Sequence, residues 1–280
     1  MDKLVSVGGE MTSVPGLSTD IWVGAVLGAI LGAIVIPMSL QGAKWLAKWY
    51  RESHPRLRVL GPLADDREMC TIFVRDFYLE EGSRIVSFEP RRGIGVVPNV
   101  VELWPDVEGR GVSYVLNALG QVGKRRNISI VRMSQDAGIW NTNIIVMGAQ
   151  AQKCFDFYDR LEGVMYAVDA NNIFDKETGA IVEREEGYGY GIILKARNPY
   201  KIGGAPGVGL LIGGYGTLGT AAAAYYFREH LEELGKLFGT CCFGVVVRAS
   251  ITAGEQMVER LPAYDKVEKT TTDRSSRFLA

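Results

Sequence analysis

The hydrophobic positions of the chain fall into two different patterns. Residues 21–40, IWVGAVLGAILGAIVIPMSL, form one uninterrupted run without a charged side chain. After His54 and Pro55, the apolar residues instead come in short runs that are separated by glycine and polar clusters. The first pattern is typical of a transmembrane helix, since about 20 residues at about 1.5 Å each cross the ~30 Å hydrocarbon layer. The second is typical of a globular domain, which we expect over residues 57–264.

The charges on the two sides of the long apolar run differ. Residues 1–20 carry one lysine and three acidic residues, whereas residues 41–58 carry five basic residues and one acidic residue. The positive-inside rule therefore predicts a single-pass protein of the inner or plasma membrane, with its N-terminus outside and its C-terminal domain cytoplasmic. The acidic start of the chain also favours a retained helix over a cleaved signal peptide. Residues 41–56, which are basic and aromatic, predict a juxtamembrane helix at the membrane interface.

Three glycines recur at every fourth position of the long apolar run, at Gly24, Gly28 and Gly32. This spacing places them on one helix face, where small residues let the backbone of a second helix come close. The pattern predicts a homo-oligomer that forms through the membrane helix. The alternative is that glycine is simply common in membrane helices.

The short apolar runs of the second part predict strands, because most are rich in β-branched or aromatic residues. These runs lie at 57–62, 70–78, 83–90, 127–133, 142–148, 210–212 and 243–251, and shorter pieces at 165–170 and 190–200 interrupt the pattern. Residues 91–99 contain glycine and proline and predict a loop. Residues 173–184 predict a hairpin whose turn needs Gly179 in a left-handed conformation. The polar segment 265–280 predicts a disordered tail.

Three stretches between these strands have helical periodicity. Val112, Val115, Leu116 and Leu119 form one stripe. A second helix is expected over 149–161 and a third over 221–236. The buried face of the second is predicted to contain Ala151, Cys154, Phe155, Tyr158 and Leu161. Buried strands that alternate with helices predict an α/β, Rossmann-like fold with a mostly parallel sheet and helices on both faces.

Two of the predicted strands run through glycine directly into a helix, and ligands of such folds bind at these carboxyl ends. A turn without side chains lets backbone N–H groups approach a ligand, and the start of a helix favours an anion such as phosphate. We therefore predict a site for a nucleotide or another phosphate ester. Its residues are Gly148, Gly213, Gly214, Gly216, Thr217, Gly219 and Thr220.

An alternative explanation of these glycines involves no ligand. Glycines at a junction of strand and helix also allow the four alanines at 221–224 to pack tightly on the sheet. Packing alone would need fewer glycines than these, and it would not call for Thr217. We therefore favour phosphate binding as the hypothesis.

The segment GGYGT at residues 213–217 resembles the phosphate-binding loop of the SLOG superfamily, which includes the Lonely Guy nucleotide phosphoribohydrolases and related nucleotide-sensing domains. The pattern of that family is Pro-Gly-Gly-x-Gly-Thr, two further residues and a glutamate. Here Ile212 replaces the proline, and Gly219 and Thr220 stand where acidic residues would follow. The resemblance therefore implies phosphate binding, while the loss of the glutamate argues against N-glycosidic cleavage. Similar domains occur in prokaryotic defence systems as membrane-tethered effectors that detect a nucleotide signal.

The net charge and the numbers of cysteine and histidine residues argue against several classes of function. The chain has 31 basic and 32 acidic residues, so its net charge of −1 does not indicate a nucleic-acid partner. The four cysteines have neither disulfide nor zinc spacing, so we expect no metal site and no bound cofactor apart from the nucleotide ligand. With two histidines, His54 and His230, a catalytic triad has little support.

Other polar residues offer weaker candidates for chemistry. An acidic side chain near the glycine turn is a possible general base, namely Asp169, Glu183, Glu185 or Glu186. Asn141 and Asn143 are possible partners of a base or ribose, although asparagine before a strand is ordinarily part of a turn. The basic triplet at 124–126 either contacts a phosphate or complements the end of a helix dipole, and we favour the second.

The leading hypothesis is a membrane protein whose cytosolic domain binds a nucleotide signal and couples it to self-association, with a role as a defence effector. One alternative is a membrane-anchored hydrolase of a nucleotide or NAD. The other is an assembly scaffold without a ligand.

Overall fold

The computed structural model describes residues 54–74, 85–89, 93–97, 106–132, 139–149, 152–169, 172–203 and 206–268, together with residues 42, 45, 50 and 53. The chain divides into two compact units, Met1–Arg51 and Glu52–Ala280. Among the described residues, no helix has the length and apolar character to cross a membrane. The predicted span at 21–40, with Gly24, Gly28 and Gly32, lies outside the described residues.

The second unit is built on an eight-stranded mixed sheet with the strand order β11-β10-β8-β9-β5-β1-β4, and β12 also pairs with β10. The strands of this sheet are β1 (Cys70–Val74), β4 (Ile128–Arg132), β5 (Asn143–Met147), β8 (Tyr188–Asn198), β9 (Gly207–Gly214), β10 (Phe243–Ser250), β11 (Val258–Arg260) and β12 (Lys266–Val267). Two hairpins lie outside it, β2 (Ile85–Glu89) with β3 (Gly93–Val97) and β6 (Tyr166–Val168) with β7 (Ile173–Asp175).

Five α-helices are described. They are α1 (Pro55–Leu60), α2 (Asp106–Gln121), α3 (Gln152–Arg160), α4 (Gly216–Glu229) and α5 (Leu231–Phe238). Short 3₁₀ turns lie at Gly61–Ala64, Ile139–Asn141, Glu255–Met257 and Pro262–Tyr264.

The direction of the strands divides the sheet into two halves. Strands β4, β1, β5 and β9 are parallel to one another, as the alternation of strands and helices predicts. Strand β8 is antiparallel to both β9 and β10, and β10 is antiparallel to β11 and β12. The α/β prediction is therefore confirmed, and the expected parallel arrangement holds for the central strands.

A hydrophobic core lies on each face of the sheet, because successive strand side chains point to opposite faces. Ile145 packs in the core beneath α1, α2, α4 and α5, while its neighbours Ile144 and Val146 pack in the core beneath α3 and the β6–β7 hairpin. Helices on both faces are thus confirmed. Because strands β5 and β9 are buried along their whole length, their sequences are almost continuously apolar.

Several predicted elements differ from the observed ones. Residues 57–62, predicted as a strand, belong to α1 and the 3₁₀ turn after it, and Pro55 occupies the first turn of α1, where its missing N–H is harmless. The predicted loop 91–99 contains strand β3, which pairs with β2. The helix predicted over 221–236 is two helices that separate at His230.

Two smaller predictions also need correction. In α3 the buried aromatic residues are Phe157 and the predicted Tyr158, whereas Phe155 is 40% exposed. The ordered domain extends past residue 264, because Lys266–Val267 forms β12 and the N–H of Glu268 donates to Cys242 O. Gly179 has φ +72°, which confirms the left-handed turn of the hairpin.

The turn after β7 depends on the ionised carboxyl group of Asp175. Burial raises the pKa of Asp175, but hydrogen bonds from Lys266, Thr178 and the N–H of Glu177 outweigh this effect and lower it to about 2. The folded pKa is therefore below the unfolded value of 3.8. The carboxylate thus stabilises the fold above about pH 4, and this contribution is lost as the pH falls towards 2.

We expect Asp175→Asn to remove this acid-sensitive contribution. The measurement is the urea midpoint of the wild type and of the variant at pH 6 and near pH 2.5. The gap between the two proteins should be widest at pH 6 and should narrow in acid. Asp159→Asn removes an exposed carboxylate from α3 and serves as the control. A gap that stays constant with pH would contradict the assignment.

Candidate functional site

The predicted site lies at the edge of the sheet where the parallel strands have their carboxyl ends. Strand β1 has β4 on one side and β5 on the other. The strand of this sheet that follows β1 in the chain therefore lies on one side of it and the next strand lies on the opposite side, so the strand order reverses at β1. Gly148 follows β5, and Gly213 and Gly214 end β9, which pairs with β5. Ligands of open α/β sheets bind outside carboxyl ends near such a reversal. Segments 75–84 and 133–138, which follow β1 and β4, lie outside the described residues.

Three of the predicted ligand residues are glycines that serve packing. A Cβ atom on Gly213 would lie 2.1 Å from the carbonyl oxygen of Gly148. On Gly214 and Gly219 it would lie 2.4 and 2.1 Å from the carbonyl oxygen of Tyr190 in β8. Each distance is far below van der Waals contact, so these glycines let backbone segments meet where a side chain has no room.

The four alanines of α4 serve the same close packing. All of them are fully buried. A Cβ atom on Gly191 of β8 would lie 2.9 Å from the Cβ of Ala223. On Gly111 of α2 it would lie 3.8 Å from the Cβ of Ala224. The packing explanation therefore accounts for the alanines and for three of the glycines.

Gly148 and Gly216 are different, because a Cβ atom at either position would meet nothing within 4 Å. Gly148 has φ +101° and Gly216 has φ +65°, so both adopt backbone conformations that favour glycine. The N–H of Gly148 already donates to Ile212 O at 2.9 Å. Gly216 is exposed and begins α4. It is therefore the glycine of the turn that leaves the start of the helix open.

The first turn of α4 has no cap from its own side chains. The residue before it, Tyr215, makes no side-chain capping bond, and the turn contains no acidic residue. An α-helix leaves its first N–H groups without intrahelical acceptors, here those of Gly216, Thr217 and Leu218. Thr217 is half-buried beside them. Thr220 is buried and its hydroxyl donates to Gly216 O at 3.3 Å, so it supports the helix from within.

Strand β8 brings a cation to this helix start. Because β8 is antiparallel to β9, the loop that precedes β8 lies beside the residues that follow β9. Within that loop, Cζ of Arg184 lies 4.2 Å from the ring centroid of Tyr215. Burial raises the pKa of Tyr215; the Arg184 cation opposes the rise and the Asp169 carboxylate adds to it. The sequence pattern did not indicate Arg184, because only the direction of β8 places it here.

The carboxylates proposed as general bases are exposed, and two of them have structural partners. Glu185 forms an ion pair with Arg248, which also pairs with Glu259 at 2.5 Å. Asp169 accepts the N–H of Asn172 at 2.6 Å. Glu183 and Glu186 lie exposed in the loop before β8.

The remaining polar candidates lie away from this edge. Asn143 is fully buried at the start of β5, where its amide accepts from Val208 N and donates to Met69 O. Asn141 is exposed in the 3₁₀ turn that precedes β5. Lys124 is only 2% exposed and lies after the C-terminus of α2, so its contact with a phosphate is not supported. His230 bonds to Glu233 at 2.9 Å and stacks on Tyr226 at the end of α4.

No family model matches any part of the chain, and no curated protein matches it. The similarity of residues 213–217 to a phosphate-binding loop therefore stays a prediction. Among the described residues, no group of histidine, cysteine or acidic side chains has the arrangement of a metal site.

Proposed function

We propose that this carboxyl edge binds the phosphate of a nucleotide or of a nucleotide-derived signal. The proposal depends on one observation: α4 begins without a capping side chain, at an exposed Gly216. The first N–H groups of α4, which have no intrahelical acceptor, and the positive end of the helix dipole favour an anion there. A phosphate ester fits this chemistry, since its oxygens accept hydrogen bonds from several N–H groups at once.

Two neighbouring side chains add to the same preference. The hydroxyl of Thr217, in the first turn, is a further donor for a phosphate oxygen. Arg184, stacked on Tyr215, adds a positive charge one residue before the helix. The backbone would thus hold the phosphate, and Arg184 would compensate the remaining negative charge.

We further propose that nucleotide binding is coupled to self-association at a membrane, as in a defence effector. The support comes from the sequence, through the apolar run 21–40 and its Gly24, Gly28 and Gly32 face. Pairing of the ligand-bound domains would raise the effective concentration of helices that already pack weakly. The coupling therefore needs no contact between the ligand and the membrane helix.

The sharpest test replaces Thr217 by aspartate. A carboxylate in the first turn interacts favourably with the helix dipole, so the variant should be as stable as the wild type or slightly more stable. The same carboxylate repels a phosphate and competes for its donors. We expect at least about tenfold weaker binding, or ~1.4 kcal/mol. The measurement is the thermal shift of the full-length protein with a panel of mono-, di-, tri- and cyclic nucleotides, and calorimetry with the tightest of them.

Thr217→Val is the matched control, because it removes the hydroxyl but adds no charge. It should bind more tightly than Thr217→Asp. If no nucleotide stabilises the wild type, or if Thr217→Asp binds equally well, the proposal is wrong and the scaffold alternative gains support. If the nucleotide is consumed during the titration, the hydrolase alternative gains support, and Glu185→Gln would then test one of the predicted loop carboxylates.

A further inference from the structure

Two buried lysines hold the segment through which the chain enters the domain. This entry segment, Pro55–Met69, comprises α1, the 3₁₀ turn and the residues before β1. Lys195 of β8 is 4% exposed, and its Nζ donates to the carbonyl oxygens of Arg58, Gly239 and Thr240 at 3.1–3.4 Å. Lys124 is 2% exposed, and its Nζ donates to the carbonyl oxygens of Asp65 and Glu68 at 2.6 and 2.5 Å.

The two lysines hold different ends of the entry segment. Arg58 lies in the last turn of α1, and Gly239 and Thr240 follow the end of α5. Lys195 therefore joins the carbonyl ends of two helices, where the helix dipole favours a cation. Lys124 in turn fixes the second half of the segment, just before β1.

Further polar contacts extend this attachment. The carboxylate of Asp66 accepts the N–H groups of Arg125 and Arg126, both at 2.7 Å. These two backbone donors lower the pKa of Asp66. Arg56 forms an ion pair with Glu232 of α5 at 3.3 Å. The backbones of α1 and α5 also meet closely, since a Cβ atom on Gly235 would lie 1.9 Å from Pro55 O.

Buried lysines are an energetically unfavourable means of holding a segment at the surface of a domain. Burial of an ammonium group is unfavourable because it removes the charge from water, and no carboxylate accepts a hydrogen bond from either Nζ in the described part of the chain. Burial also lowers the pKa of Lys195, to about 8. Apolar side chains would be sufficient for packing, and Val59, Leu60 and Leu63 already provide it. What the ammonium groups add is position, because each needs backbone carbonyl oxygens within hydrogen-bond distance of its N–H groups.

We infer that the entry segment is a rigid coupling element, which Lys195 and Lys124 fix to the sheet so that both move as one body. A displacement of the sheet is then passed to the entry segment, and a displacement of the entry segment is passed to the sheet. A flexible linker in this position would lose the displacement in its own motion. This inference is independent of the ligand proposed above, since it depends only on contacts within the domain.

The test is hydrogen exchange of the full-length wild-type protein, followed by mass spectrometry of peptides. In the wild type, peptides from the entry segment should exchange as slowly as peptides from β8 and β9. Lys195→Met should raise exchange at least about tenfold in residues 55–64, and Lys124→Met should do so in residues 65–69, while β9 stays protected. Lys176→Met is the control, because Lys176 is an exposed lysine that also donates to a backbone carbonyl oxygen, that of Tyr158, which packs on the other face of the sheet from the entry segment.

Two results would overturn the inference. One is a wild-type entry segment that exchanges as fast as the exposed loop 183–187. This measurement uses the wild-type protein alone, so it does not depend on whether a variant folds. The other is a loss of protection in Lys195→Met that is equal over the whole domain, which would make Lys195 a general core residue.

Discussion

Replacement of Gly219 by valine should abolish the native fold. The position is enclosed by backbone on two sides: a Cβ atom there would lie 2.1 Å from the carbonyl oxygen of Tyr190 and 3.2 Å from the Cα of Gly214. Neither neighbour is the end of a flexible side chain, so relief requires β8 and α4 to separate. We expect a loss above about 4 kcal/mol, which is a large part of the stability of a domain. Urea unfolding followed by circular dichroism measures it.

The matched control is Gly216→Ala, three positions earlier in the same turn. A Cβ atom at Gly216 meets nothing within 4 Å, so the expected cost is the strain of φ +65°, about 1–2 kcal/mol. The two variants together distinguish the glycine that is needed for packing, Gly219, from the glycine that faces open space, Gly216. A Gly219→Val protein that unfolds at the same urea concentration as the wild type would show that β8 and α4 do not meet as described.

Replacement of Asn198 by aspartate should have the second large effect. The side chain is 2% exposed, and its Nδ2 donates to the carbonyl oxygens of Trp140 and Thr142 at 2.6 and 2.8 Å. Its Oδ1 accepts the N–H of Tyr200 at 3.1 Å. Aspartate has almost the same shape, but it places a charged oxygen against two carbonyl oxygens. An uncompensated buried charge costs about 3–5 kcal/mol, and we expect a loss of that size at neutral pH.

Asn117→Asp is the control for this substitution. Asn117 is exposed on α2 and accepts a hydrogen bond from Gln121, which an aspartate also accepts. The control therefore adds the same charge without placing it against carbonyl oxygens. Equal urea midpoints for Asn117→Asp and Asn198→Asp would mean that Asn198 does not join the end of β8 to the residues before β5.

The strands and helices that were predictable from the sequence are those in which apolar residues recur with one regular spacing over a long segment. Strands β5, β9 and β10 are almost continuously apolar, because side chains on both of their faces are buried. The stripe of α2 repeats over about two turns, so few other structures fit it. Helix α1 was missed because it has only six residues, and so short an apolar segment fits a strand equally well. Strand β3 was missed because its glycines resemble those of a loop.

The candidate site was predictable in position but not in composition. Sequence placed it at the turn between β9 and α4, because glycine at the start of a helix favours an anion. It could not distinguish Gly216, which faces open space, from Gly213, Gly214 and Gly219, which face backbone. That difference depends on which segments pack against each residue, and those segments are distant in the chain.

The amino-acid sequence by itself determined most of the local elements, since the period of the apolar residues and the turns at glycine and proline depend on residues close together in the chain. The alternation of these strands with helices also indicated the α/β class and the parallel strands β1, β5 and β9. Only the tertiary structure decided that β8 runs antiparallel, that Arg184 thereby lies against Tyr215, and that Lys124 and Lys195 are buried against carbonyl groups. These outcomes are set by contacts between segments far apart in the chain, and the free energy of such contacts depends on the partner as much as on the residue.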